Sequence, residues 1–273
     1  MKGYRSMNTN TKTEKNVTYS APALSKGLDI IELLASNAEG LRKSDVAKAL
    51  DRSISEIFRM LAVLTDRGYV SFDSVTDRYS LTTKMFEIAH RHPPIRRLSS
   101  VAIPSMQNLA LSLNQSVHMA VLHNDDILII AQVDAPGNNV TSVRLGARVP
   151  LFQTASGAAL FNAVPKDRQE ILLKKADQEM PDMVGLFRQN VDSITEHGYC
   201  ESRSSVIEGI TNISAPIYDY SSQVIAALTI PFLKRLRTSH YVEPKESRKQ
   251  LVEAAQHISQ LLGAGTFSED QTN

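Results

Sequence analysis

The sequence predicts an α+β protein in two parts: a winged helix-turn-helix at the N-terminus, then a sheet with helices packed against it. Three observations predict this. At 273 residues with 42% hydrophobic content, the chain is long enough to build a core in each of two domains. Residues 41–81 change from helical apolar spacing to strict alternation across a single glycine, Gly68. From Val117 onward, short apolar runs bounded by turn formers are interspersed with stretches of helical periodicity.

The first residues, MKGYRSMNTNTKTEKNVTYS, are polar and read as a disordered leader over 1–19. Residues 23–35 follow with Leu24, Leu28, Ile31 and Leu34 at helical spacing, the pattern of a support helix with one apolar face. Ser44 precedes the short rhythm of Val46, Ala47 and Leu50, so it is expected to cap a brief helix whose first turn carries Asp45. Asp51 and Arg52 make the turn. Ser53-Ile54-Ser55-Glu56 is a capping box opening a second helix, with Ile57, Met60, Leu61 and Leu64 on its apolar face. Gly68 stops that helix, and Val70/Phe72 and Tyr79/Leu81 alternate on either side of the turn formers of 73–77, which predicts a hairpin with Arg78 beside its tip.

Helix, turn, helix and hairpin make a device for reading DNA: the second helix offers its polar face to base edges and the wing touches backbone or minor groove. That face holds Ser55, Phe58, Arg59 and Ala62, with Lys43, Ser44, Arg52 and Ser53 on its flanks and Arg78 on the wing. Arg59 is the residue best suited to contact a base or phosphate, because a guanidinium fork fits either guanine's two major-groove acceptors or a phosphate. Ser53 and Glu56 also have a purely structural use as caps, and Phe58 can fold back onto the wing.

Residues 83–91 read as a short helix, broken by Pro93-Pro94 as a hinge. Leu98, Ala102, Met106, Leu109 and Leu113 then mark a long amphipathic helix containing Pro104. VHMAVLH and ILIIAQVD, joined by a polar turn, form a hairpin, with VTSVRL as a third strand. Residues 154–162, 168–176 and 186–197 read as helices, the last ending at Gly198. Residues 210–218 and 224–230 are the last strands, and Pro244 opens a closing helix with the stripe Leu251, Ala255, Ile258 and Leu262. The resulting boundaries are a leader over 1–19, a winged domain over 20–82, a linker over 83–97, a second domain over 98–265 and a disordered tail over 266–273.

Charge and composition narrow the function. Residues 1–92 hold 14 Lys and Arg against 11 Asp and Glu, so nonspecific attraction to phosphate is weak and geometry and dimerisation must supply affinity. A single cysteine, Cys200, excludes an internal disulfide and a cysteine-rich zinc site, and fits a reducing cytoplasm. No apolar run has the length of a membrane span. G-x-G-x-x-G, P-loop, G-x-S-x-G and H-E-x-x-H patterns are absent, so no enzyme, metal or cofactor is expected. His118 and His123 lie five apart on a strand and face opposite ways, and His197 with Cys200 supplies only two ligands beside a helix end. The competing reading is a catalytic or metal-dependent second domain that the winged helix localises to DNA.

Over residues 20–265 the chain resembles the IclR family of bacterial transcriptional regulators. The resemblance is carried, in order, by LSKGLDIIELL, SEIFRMLAVLTDRGYV, RYSL, RVPLFQTASGAALFNAV, GYCESRSSVIEGITNISAPIYD and VIAALTI. It implies a winged-helix domain, a linker helix and a GAF-like C-terminal domain that binds a small-molecule effector, with the chain acting as a homodimer or a dimer of dimers on double-stranded operator DNA. It also implies an effector pocket at Val149, Ala155, Ser156, Ser202, Ile210, Asn212, Thr229 and Pro231. The sequence departs from the family pattern where an acidic residue is usual at Ser202 and Ser205, Cys at Asn212 and Lys at Ala158. None of the eight pocket side chains is charged. Hydroxyls, the Asn212 amide and backbone donors at the helix start near Ser156 are the groups available to hold a carboxylate, so a small organic or aromatic acid of the kind sensed for catabolic genes is the expected effector.

Overall fold

The computed structural model describes residues 21–91, 93–137, 140–234 and 242–265. The expected leader and tail lie outside the described residues. The chain divides into two compact units, Met1–Arg91 and His92–Asn273.

The first unit runs α1 (Pro22–Ala35), α2 (Lys43–Ala49), α3 (Ile54–Asp66), β1 (Val70–Asp73), β2 (Arg78–Leu81) and α4 (Lys84–Arg91). Its core gathers Ile30, Leu34, Val46, Ile57, Leu61, Val70 and Tyr79. Burial divides the apolar residues of α1. Leu34 is buried as expected, but Ile30 joins it, whereas Leu24 and Leu28 are 64% and 49% exposed. The Leu24–Leu28–Ile31 stripe instead lines an open apolar groove together with Met60, Val63, Tyr69, Met85 and Ile88.

The cap of α2 is corrected. Arg42 holds the N-cap position without a side-chain bond, and Ser44 lies inside the first turn with Asp45. On α3 the capping box is present: Ser53 Oγ accepts from the Glu56 amide while the Glu56 carboxylate accepts from the Ser53 amide. At its other end Gly68 sits at φ 75°, and Tyr69 N–H donates to Leu64 O and Gly68 N–H to Thr65 O, the paired bonds of a Schellman stop. The wing pairs Val70 with Leu81 and Phe72 with Tyr79. Its turn is closed by the Asp73 carboxylate, which accepts from Val75 N–H and Thr76 Oγ1.

The second unit begins with α5 (Pro93–Leu113) and closes with α9 (Pro244–Leu261). As expected, α4 stops at Arg91, just before the proline pair, and a new helix, α5, starts at Pro93, where a missing N–H costs little. Between these helices the chain forms β3 (Val117–His123), β4 (Asp126–Val133), β5 (Arg148–Pro150), α6 (Ala155–Leu160), α7 (Lys166–Glu179), α8 (Pro181–His197), β6 (Cys200–Arg203), β7 (Ile210–Tyr218) and β8 (Val224–Leu233). The six strands make one antiparallel sheet in the order β5-β4-β3-β8-β7-β6. The expected strand at VTSVRL is absent. Val140 and Leu145 are 46% and 65% exposed and only Val143 packs against the core, so the segment gains no continuous buried face, and the short β5 pairs with β4 at Asp126–Leu128.

The sheet is covered on both sides. On one face the α5 stripe Leu98, Ala102, Met106, Leu109 and Leu113 and the α9 stripe Leu251, Ala255 and Ile258 pack on Met119, Ile213, Ala215 and Leu228. On the other, α6, α7 and α8 bury Ala155, Leu160, Leu172 and Phe187 against Ala120, Ile127, Ile129 and Ala227. Phe187 stacks edge-on with Phe152 and Phe161 at centroid distances of 4.8 and 5.2 Å. In the β3–β4 register Met119 meets Ala131 and Ala120 meets Ile129, so Ile130 is an unpaired bulge residue. It turns Ile127 and Ile129 toward the α6 side while Ala131 faces α5.

Candidate nucleic-acid interface and effector cavity

On α3, Ser55, Phe58, Arg59 and Ala62 are all exposed, opposite the buried Ile57 and Leu61. Lys43 Nζ sits 5.1 Å from the centre of the Phe58 ring, so a cation and an aromatic face share this surface. Arg59 makes no hydrogen bond or ion pair among the described residues, which leaves its fork available to a ligand. Arg52 is exposed beside the turn, and Ser44 is exposed on α2. Arg42, which the sequence reasoning passed over, is exposed as well; its position at the N-cap of α2 is the signal that would have found it.

Two of the expected DNA contacts have intramolecular work. Ser53 spends its hydroxyl and amide on the Glu56 cap. Lys26 Nζ donates to the same carboxylate at 2.6 Å, and this bond, with those from Ser53, holds Glu56 down at about 2. Arg78 is half-buried and donates to the Gly40 carbonyl at 2.7 Å, tying the wing to the loop before α2.

In the second unit a cavity of about 300 Å³ opens on the α6 side of the sheet. Six of the eight effector residues expected from the resemblance line it: Val149, Ala155, Ser156, Ile210, Asn212 and Pro231. The other two do not. Thr229 lies one layer deeper, 1% exposed, and Ser202 pairs with Asn212 from the neighbouring strand. Ile127, Ile129, Val143, Val206 and Ile207 make much of the wall apolar, and Gln153, Ser142 and Ser205 add polar groups. No charged side chain stands among the described residues of this lining.

His118, whose spacing from His123 makes it a poor metal ligand, also lines the cavity. Its ring is 4% exposed. Register places His118, Thr229 and Ser214 side by side across β3, β8 and β7 on the face under α6. Ser156 Oγ reaches down from α6 to Thr229 Oγ1 at 2.8 Å and lies 3.4 Å from His118 Nε2, and Thr229 Oγ1 is 2.8 Å from Ser214 Oγ. His118 Nδ1 is buried without a partner. The even-numbered alternation of β3, opposite Val117 and Met119, is the sequence signal that places His118 on this face.

The start of α6 offers less than expected. The helix has six residues, and the Gly157 amide is already bonded to Thr154 Oγ1 at 3.0 Å, so Thr154 and not Ser156 is the cap. Cys200 is buried, its thiol donating to the Ala155 carbonyl and pushed up to about 12 by burial, with the Glu201 charge adding to the rise. His197 is exposed at the end of α8. Among the described residues no three His, Cys, Asp or Glu side chains gather as a metal site, and no helix is long and apolar enough to cross a membrane.

Burial lowers the His118 pKa from 6.5 to about 4. The unfolded chain therefore binds more protons than the folded one between these values, and stability must fall as pH drops through that window. The contribution is fully present above pH 6.5 and lost toward pH 4, at most on the order of 3 kcal/mol. Thermal unfolding followed from pH 7.5 to 4.5 should show this slope, and His118→Gln should flatten it; an unchanged slope would place the acid sensitivity elsewhere.

Comparison with known proteins agrees with both halves. Residues 23–74 match the IclR helix-turn-helix domain, and residues 95–260 match the C-terminal domain of bacterial transcriptional regulator IclR. The chain is 28% identical over 254 residues to the glycerol operon regulatory protein of Streptomyces coelicolor, covering 90% of this chain and 98% of that protein. It is 26% identical over 257 residues to the HTH-type transcriptional repressor AllR of Klebsiella pneumoniae, covering 92% and 93%. The crystal structure of an IclR homolog from Microbacterium hydrocarbonoxydans, complexed with 4-hydroxybenzoate, superposes with a TM-score of 0.73 at 21% identity, covering 88% of this chain and 98% of that one.

Proposed function

Because the chain belongs to the IclR family of bacterial transcriptional regulators, we propose that it represses catabolic genes and that a small organic or aromatic acid in the C-terminal cavity changes its hold on the operator. The winged helix-turn-helix makes it a DNA-binding regulator; the repressor sign and the effector class are the proposed steps. The single observation that carries the effector reading is the cavity: six residues named from the resemblance, drawn from three separate stretches of the sequence, converge on one space of about 300 Å³. A space of that size suits a small molecule. The similarity to a named repressor and to a fold solved with 4-hydroxybenzoate supports the same reading.

The acid has a defined place in such a cavity. Burying a carboxylate where no cation stands is costly, so it belongs at the open rim, where Ser142 and Ser205 are exposed, with the Asn212 amide, unbonded among the described residues, within the lining. Thermal-shift screening of small acids tests this. A hit should stabilise the wild-type chain and lose its effect in Asn212→Leu; a hit that stabilises both equally is not using the cavity.

Dimerisation belongs, in the same proposal, to the N-terminal unit. The groove formed by Leu24, Leu28, Met60, Val63, Met85 and Ile88, beside Phe86 at 64% exposure, is a broad apolar surface for a unit of this size, and a second copy of the chain is the occupant that an inverted-repeat operator requires. Residues 20–92 expressed alone should self-associate in sedimentation. A monomer at concentrations where the full chain is oligomeric would move the dimer contact out of this unit.

A further inference from the structure

The surface of α3 that carries Arg59 is divided into two strips. Ser55 and Arg59 stand four residues apart and form a polar strip; Phe58 and Ala62, also four apart, form an apolar one beside it, and all four are exposed. Phe58 is the large member, 52% exposed on a helix that buries its neighbours Ile57 and Leu61. The wing does not cover its ring. Phe72 and Tyr79 of the wing stack on each other with 4.7 Å between centroids, and among the described residues Phe58 shares no ring contact with either. The ring meets Lys43 of α2 instead, whose Nζ stands 5.1 Å from its centre and has no carboxylate partner among the described residues.

Lys43 and Arg59 carry the charge that a polyanion attracts, and Lys43 brings it directly beside the ring. A phenyl ring needs a different partner. The donors and acceptors of the base edges give it nothing to pair with, and the apolar group that the major groove offers is the C5 methyl of thymine. Resting on the reading of α3 as the helix that enters the major groove, we propose that Phe58, backed by Ala62, reads a thymine through its methyl group, so that each operator half-site carries a thymine close to the position Arg59 contacts. The two strips then recognise DNA by two chemistries. Arg59 acts by charge and hydrogen bonds, and Phe58 acts by removing a methyl group from water.

The test needs the full chain and DNA alone. Duplexes with a random central stretch are selected by binding, and the best selected sequence is remade with deoxyuridine in place of single thymines, which removes the C5 methyl and keeps every hydrogen-bonding group. At one thymine position of each half-site the exchange should weaken binding about fourfold per half-site, the worth of one buried methyl group. Phe58→Ala should bind the thymine and deoxyuridine duplexes alike at that position, a result that general damage to the helix would not produce. The side chain is half exposed, so this variant should melt with the wild type, and the comparison of the two duplexes on the wild type stands whatever the variant does. A selected sequence with no thymine whose exchange weakens binding overturns the proposal, as does a preference that Phe58→Ala retains. Failure of the wild type to select any sequence overturns instead the reading of α3 as the helix that reads DNA.

Discussion

Alanine in place of Gly157 is expected to lower the melting temperature of the chain by roughly 6–12 °C, the consequence of about 3 kcal/mol or more in a domain of this size. Gly157 lies in the first turn of α6, directly against the 3-10 turn Leu151–Gln153, and a Cβ added there would land inside the van der Waals envelope of the Leu151 carbonyl. The obstacle is backbone, so no rotamer change relieves it. Either α6 or the 3-10 turn must shift, and both are held by the core that includes Leu151, Leu160 and Phe187. Moving α6 also moves Ser156 away from Thr229 and His118. A melting temperature within 2 °C of the wild type would mean that this packing is looser than the structure places it.

Alanine in place of Arg59 is expected to weaken binding to the specific operator by about 1–3 kcal/mol, roughly five- to 150-fold, while leaving the fold of the winged domain intact. Arg59 is exposed on the face of α3 opposite Ile57 and Leu61, and its side chain makes no hydrogen bond or ion pair among the described residues. The comparison with Ser53 is instructive. Removing that hydroxyl would disturb the cap of α3 and the Glu56 network, so loss of DNA binding there would mix folding with recognition. Binding titrations on operator and random DNA separate the roles of Arg59. A loss confined to operator marks a base contact, an equal loss on both marks a phosphate contact, and no loss on either removes Arg59 from the interface.

Much of the fold was legible because its signals are local. The Ser53–Glu56 capping box and the Gly68 stop delimit α3 within a few residues of chain, and turn formers delimit the wing. The ends of β7 fell where alternation and the Asp219–Gln223 turn placed them, and the α9 stripe is buried along its length. The misread features depend on partners. Leu24, Leu28 and Ile31 repeat at helical spacing whether that face meets the domain's own core or stays open, and only the structure shows that Ile30 and Leu34 are buried while that stripe lines the open groove. VTSVRL alternates like a strand, but alternation does not reveal that the strand beside β4 is Arg148–Pro150, paired at Asp126–Leu128.

The cavity was legible only through family resemblance, which placed residues that no local pattern connects. Even so, Thr229 and Ser202 fall outside its lining, because sequence position does not reveal depth beneath a surface. His118 escaped for the opposite reason. Its place beside Ser156 is created by cross-strand register with Thr229 and by the packing of α6 over the sheet, neither of which is a property of the segment VHMAVLH.

Sequence-specific DNA binding and occupancy of this cavity are expected to be coupled in one molecule. Footprinting of the purified full chain on the promoter region beside its own gene, with and without an acid selected by thermal shift, measures that coupling. The expected result is protection of two half-sites about one helical turn, roughly 10 bp, or a multiple apart, with the acid changing occupancy for the wild type and not for Asn212→Leu. Protection that ignores the acid, or that responds identically in Asn212→Leu, would contradict it.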